Sequence, residues 1–128
     1  MKAVIEILQA TSDNRPDEKD YDQIWDEFQS QTNNFGLVAI DEKVDVVGYG
    51  SIFIERKILG GKMGHIEDIA VHPDFRKKGI GTLLINALYQ ISLEEKCYKV
   101  SLACKKHNLS FYQKCDFVID GISLSNFL

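Results

Sequence analysis

A chain of 128 residues, 45% hydrophobic and 27% charged, has the length and balance of one compact domain, expected to span residues 1–128. That composition excludes disordered, collagenous and disulfide-scaffold classes. The formal net charge of −4 argues against a nucleic-acid partner, so an anionic ligand needs a local device rather than the overall field.

In chain order, residues 1–8 carry Val4, Ile5, Ile7 and Leu8 and read as an opening strand. Residues 11–20, with Pro16, form a polar loop. Tyr21, Ile24, Trp25 and Phe28 fall at helical spacing and predict a short amphipathic helix, with Trp25 and Phe28 in the core. Residues 37–40 and 46–54 read as a hairpin around the charged turn 41–45, with Gly48 and Gly50 as bulge or bend points. Gly60-Gly61 marks another turn, and residues 65–71 form a strand closed by Pro73. Ile80, Leu83, Leu84, Ala87, Leu88 and Ile91 predict a long helix to about Lys96. Residues 99–104 alternate as a half-buried strand, and Asn108 opens a short helix through Phe111 and Tyr112. Residues 117–119 and 122–127 read as closing strands around Asp120-Gly121. The pattern is α+β, with antiparallel strands followed by strand–helix–strand–helix.

The three cysteines, Cys97, Cys104 and Cys115, make no disulfide framework and suit a reducing compartment as buried thiols. His65, His72 and His107 lack metal-ligand spacing, so no metal is expected. No signal peptide is evident and no stretch approaches the roughly 20 apolar residues that cross a bilayer. A cytoplasmic protein with no membrane partner is expected.

Residues 71–82 carry the most informative pattern. A strand ends, Arg76, Lys77 and Lys78 follow, and Gly79 and Gly81 lead into a helix. Glycines let backbone approach a ligand, and free N–H groups at a helix start point at an anion. The spacing is neither a Walker loop nor a Rossmann fingerprint, because position 84 is Leu84. The remaining Arg-x-x-Gly-x-Gly, with Gly64-His65-Ile66-Glu67-Asp68-Ile69-Ala70-Val71 before it and Asn108-Leu109-Ser110-Phe111-Tyr112 after it, resembles the GNAT-type N-acetyltransferase superfamily.

Ile54-Glu55-Arg56-Lys57, Cys97-Tyr98-Lys99-Val100 and Phe111-Tyr112-Gln113-Lys114-Cys115 narrow the resemblance to the glucosamine 6-phosphate N-acetyltransferases, over about residues 46–117. The resemblance implies a GNAT fold: a mixed, mostly antiparallel sheet flanked by helices, its central strand splayed at the acetyl-CoA site. It implies transfer of an acetyl group from acetyl-CoA to the amine of glucosamine 6-phosphate, on the route to UDP-N-acetylglucosamine, in a homodimer. It places Ile69, Ala70 and Val71 along the pantetheine arm, and Arg76, Lys77, Lys78, Gly79, Ile80, Gly81 and Thr82 at the pyrophosphate. Asn108, Tyr112, Gln113 and Lys114 fall near the rest of the cofactor and its sulfur. Lys57, Glu67, Asp68, Ile69, Tyr98 and Lys99 fall at the sugar phosphate.

Four features depart from that family. Ala103 stands where an acidic residue meets the sugar, and Phe127 where a basic residue helps hold phosphate. The segment 58–63 and the N-terminal helical region are short. The first two departures keep open a different small amine or amino sugar as acceptor.

Amide formation needs a free amine, a polarised thioester and a protonated leaving sulfur. Glu67 and Asp68 would face opposite ways in a regular strand. A bulge would re-aim one of them and free a backbone N–H near Ile69 for the carbonyl oxygen. Asp68, with Glu67 beside it, is expected to orient or deprotonate the amine, and Tyr112 to protonate the departing sulfur. No acyl-cysteine is implied.

Overall fold

The computed structural model describes residues 2–9 and 14–128. Helix α1 (Lys2–Leu8) is followed by a 3-10 turn (Glu18–Asp20) that runs into α2 (Tyr21–Ser30). Strands β1 (Asn34–Asp41), β2 (Asp45–Arg56) and β3 (Lys62–Val71) come next, then a 3-10 turn (Pro73–Phe75) and α3 (Ile80–Glu94). Strand β4 (Cys97–Leu102), a third 3-10 turn (Lys106–Asn108) and α4 (Leu109–Lys114) follow. The sheet order is β1-β2-β3-β4. The first two pairings are antiparallel, whereas β3 and β4 run parallel across the α3 crossover. This is the expected α+β architecture with a mixed, mostly antiparallel sheet.

One face of the sheet carries the core. Ile52, Ile54 and Ile66 bury themselves against Ile85 and Leu88 of α3. The period-3.6 stripe of α3 makes this possible, because Leu84, Ile85 and Leu88 recur on one side and fall below a tenth exposed. The opposite face is covered near β2 by α2, where Phe28 meets Phe53 edge-on at 6.3 Å. Neither expected core aromatic of α2 is buried: Phe28 is only partly covered, and Trp25, stacked on it, is 40% exposed because α2 lies on the outer face away from α3.

Two sequence expectations are corrected. The opening run is a helix over its described residues, residue 1 lying outside them. A run with Val4, Ile5, Ile7 and Leu8 fits either period, and packing decides: α1 lies on β2 and β3 and buries Ile5 and Ile7. The closing strands over 117–119 and 122–127 do not form. A strand persists only with a ladder partner, and no sheet edge pairs with these residues. Val118, Ile122, Leu124 and Phe127 are left exposed. Boundaries also differ: β3 and β4 begin three and two residues earlier than expected, and α3 stops at Glu94. Lys96, at φ +61°, turns the chain toward β4.

Candidate active site

Strand β3 is the axis of the site. Tyr49 pairs with Ala70 and Ser51 with Glu67, so Asp68 and Ile69 together oppose Gly50. This two-against-one register is the bulge expected at the carboxylate pair, and Asp68 takes the left-handed conformation at φ +57°. The extra residue breaks alternation. Ile66 and Ile69 both turn toward the core, while the consecutive Glu67 and Asp68 are both exposed. Gly50 is required opposite the bulge, because a Cβ there would lie 2.5 Å from Ile69 Cδ1 and 3.1 Å from Leu88 Cδ1. The buried Ser51 hydroxyl donates to the Glu67 carbonyl at 3.2 Å and fixes the strand just before the bulge.

Beyond that point β3 loses its neighbour. The parallel ladder ends at Ile66 opposite Leu102, yet β3 continues to Val71. The sheet splays, and residues 67–71 keep one edge without a β4 partner. An extended amide chain such as a pantetheine arm fits an edge of this kind, which offers strand N–H and C=O groups.

The strand delivers the chain to a shaped loop. His72 N–H donates to the Val47 carbonyl at 2.7 Å, and His72 Nδ1 accepts from Asp74 N–H at 3.1 Å. Lys77 and Gly79 have φ of +63° and +82°, and Gly79 caps the N-terminus of α3. Alternating left-handed residues before a helix turn successive N–H groups inward, the form of an anion cradle. Nothing lies within 4 Å of a Cβ built on Gly79, so the cradle opens outward. Arg76, Lys77 and Lys78 are exposed around it, with the Lys78 ammonium 4.9 Å from the Phe75 ring centre. The cradle spans residues 76–80. Gly81 has another reason to lack a side chain: its Cβ would sit 3.1 Å from the Phe111 ring. That contact lets α4 pack close against α3.

Helix α4 brings Tyr112 to the core edge, where its ring meets Phe111 at 5.0 Å and Phe117 at 6.2 Å. Burial pushes the Tyr112 phenol above its ordinary value, and the nearby Cys104 and Cys115 thiols add to the shift. Its neutral, donating form therefore persists through the physiological range. Asn108 occupies the N-cap position of α4 but makes no side-chain cap bond. Gln113 and Lys114 are exposed on the same helix.

The expected acceptor residues do not share one surface: Glu67 and Lys99 lie on the open face of the sheet and Asp68 is exposed at the bulge, whereas Lys57 lies past the end of β2 and Ile69 turns to the core. Register puts Glu55 opposite Met63, Phe53 opposite His65, Ser51 opposite Glu67, and Lys99 beside Met63. Lys57 Nζ and His65 Nε2 both bond Glu55 Oε1 at 2.9 Å. These bonds, His65 first, hold the Glu55 carboxyl below its usual range, and Glu55 raises Lys57. Lys57 and Tyr98 share a cleft of about 550 Å³ with Glu55, Arg56 and residues 58–60. Lys99 is drawn elsewhere, to Asp120 at 3.2 Å. The bulge lies further along the strand: Glu67 follows His65 by two residues, about 7 Å. Sequence reasoning missed Glu55 and Asp120 as partners of Lys57 and Lys99, and His65 as a second partner of Glu55. The i, i+2 spacing of Glu55 and Lys57 at the end of β2 was the available signal for that pair.

Of the three cysteines, Cys97 and Cys115 are partly buried and Cys104 is exposed. Among the described residues, no helix is long and apolar enough to cross a membrane.

A bulged and splayed central strand thus feeds an anion cradle at a helix start, the frame of an acyltransferase. The acetyltransferase (GNAT) family model matches residues 1–117, and the chain belongs to that family of acyltransferases. Members of this family draw their acetyl group from acetyl-CoA. Its relatives are more particular. It is 34% identical over 131 aligned positions to glucosamine 6-phosphate N-acetyltransferase 1 of Dictyostelium discoideum, covering 99% of this chain and 83% of that one. It is 40% identical over 88 positions to the Schizosaccharomyces pombe glucosamine 6-phosphate N-acetyltransferase, covering 67% and 79%. The crystal structure of the Arabidopsis thaliana enzyme superposes with a TM-score of 0.88 at 31% identity, over 96% of this chain and 87% of that one.

Proposed function

We propose that this chain transfers the acetyl group of acetyl-CoA to the amine of glucosamine 6-phosphate, supplying the route to UDP-N-acetylglucosamine. The observation that carries the reading is the bulge at Asp68 and Ile69 beside the unpaired edge of β3. A carboxylate and strand amides beside that unpaired edge support the reading. The relatives supply the acceptor.

In this reading the exposed Asp68, with Glu67 beside it, orients the ammonium and takes its proton directly or through water. The Ile69 N–H donates to the thioester oxygen as charge develops there. The nitrogen bonds the acetyl carbon, the carbon–sulfur bond breaks, and the Tyr112 hydroxyl returns a proton to the sulfur. Holding both reactants on one strand contributes several kcal/mol by proximity alone. Residues 69–71 bind the pantetheine arm, 76–82 the pyrophosphate, and Asn108, Gln113 and Lys114 the cofactor's remaining contacts. Lys57, Tyr98 and Lys99 serve the acceptor's sugar and phosphate. No metal enters the reaction.

We also read the chain as a cytoplasmic homodimer whose apolar C-terminal segment meets a partner. A second reading, acetylation of a different small amine or amino sugar, is favoured by Ala103 and Phe127, both uncharged and exposed. Incubating the purified chain with acetyl-CoA and glucosamine 6-phosphate tests the first reading. Coenzyme A thiol release and a singly N-acetylated product by mass spectrometry are expected. Release with other amines but none with this one assigns the second reading instead.

A further inference from the structure

Two donors converge on one carboxylate oxygen at the open face of the sheet. Lys57 and His65 both lie 2.9 Å from Glu55 Oε1, although they come from the hairpin loop and from β3. We propose that His65 and Glu55 are positioning residues that aim the Lys57 ammonium at the acceptor's phosphate and so set preference for a phosphorylated amino sugar. The inference rests on the proposed function and deepens it.

The geometry gives each residue a distinct task. Lys57 follows the end of β2, with its N–H on the Gly61 carbonyl at 3.0 Å, and its side chain lines the cleft. Glu55, two residues earlier on the same side, draws the ammonium back along the face toward the level of His65. An ammonium has three N–H donors, so one bond to Glu55 leaves capacity for an anion. Glu55 alone would also repel a phosphate. His65 counters this, since it occupies the same oxygen and holds the carboxylate on the strand face. The row Lys57, Glu55, His65 thus points along β3 toward Glu67, two residues beyond His65. Lys99 of β4 bonds Asp120 instead, which leaves Lys57 the lysine held at Glu55.

The test compares kcat/KM for glucosamine 6-phosphate with that for unphosphorylated glucosamine in wild type, Glu55→Ala, Lys57→Ala, the double variant, His65→Ala and His65→Gln. Wild type prefers the phosphorylated amine. Glu55→Ala is expected to lower that preference about fivefold, through KM for the phosphorylated acceptor, in keeping with partly exposed contacts. The double variant should lose no more than Lys57→Ala alone, and His65→Gln, which keeps a donor, should recover most of what His65→Ala loses. An unchanged preference in Glu55→Ala, or losses that simply add in the double variant, overturns the inference. Glu55→Gln keeps the shape of the side chain and guards against a folding defect, with a loss of preference also expected. A wild type with no preference for the phosphorylated amine would overturn the proposed acceptor as well, so the two failures are distinguishable.

Discussion

At the scale of single residues, the proposed chemistry divides between groups kept ionised and groups kept neutral. Tyr112 belongs to the second kind, because burial among Phe111, Phe117 and two thiols raises its phenol above the ordinary value near 10. A raised pKa in an acid donor means that the donating form is lost only as pH rises past that value. The kcat profile should therefore show no alkaline fall centred below about pH 10 that Tyr112→Phe abolishes. Tyr112→Phe itself should lower kcat on the order of 100-fold while KM for acetyl-CoA stays within about twofold. Steady-state kinetics on the two proteins check both statements, and an unchanged kcat would remove the hydroxyl from the reaction. Glu55 is the opposite case. Its lowered pKa keeps it ionised into acid, so whatever it contributes is present above about pH 4.5 and fades as pH falls through the lower folded value. Both Glu55 and Lys57 are substantially exposed, so that contribution is small.

At the scale of elements, backbone geometry makes the site. The bulge forms because Gly50 leaves room for Ile69, and a side chain at 50 must push it away. Gly50→Val is expected to cost about 1–3 kcal/mol by overpacking and to depress turnover more than stability alone explains. A thermal melt paired with kcat at a temperature where the variant is folded checks this. Gly79→Ala is a different kind of change, since its Cβ would meet nothing and only the positive φ is strained. About 1 kcal/mol of backbone strain is expected, with KM for acetyl-CoA raised and kcat little altered. The carboxylates and the cradle were legible in the sequence because glycine, charge and strand-to-helix order carry their own signals. The bulge was raised from the adjacent carboxylates Glu67 and Asp68, not from Gly50, and the splayed strand from the family resemblance. What stayed hidden was tertiary. Residues 2–8 contain an apolar run that only its docking on β2 and β3 resolves as helix. Residues 122–127 look strand-like, yet they have no ladder partner. The bond of His65 to Glu55 joins residues ten apart across a hairpin, a pairing that a linear reading does not see.

At the scale of the whole molecule, the segment from 118 onward is the least settled against the rest. The family match ends at residue 117, and Val118, Ile119, Ile122, Leu124 and Phe127 are all more than 70% exposed. An apolar run of that exposure is a docking surface in waiting, and in the proposed homodimer it meets the partner. Light scattering at micromolar concentration should return twice the chain mass for wild type, and Ile122→Lys with Leu124→Lys should shift the protein to monomer. A wild type of single-chain mass would contradict the homodimer. The acidic net charge then poses no difficulty for an anionic donor, because the loop 76–80 supplies its own local field.

The central claim is the identity of the reaction, and initial rates with acetyl-CoA across glucosamine 6-phosphate, glucosamine, other amino sugars and polyamines test it most directly. Glucosamine 6-phosphate is predicted to give the highest kcat/KM of the series, whereas tight acetyl-CoA binding with no turnover on any of these amines would contradict the account.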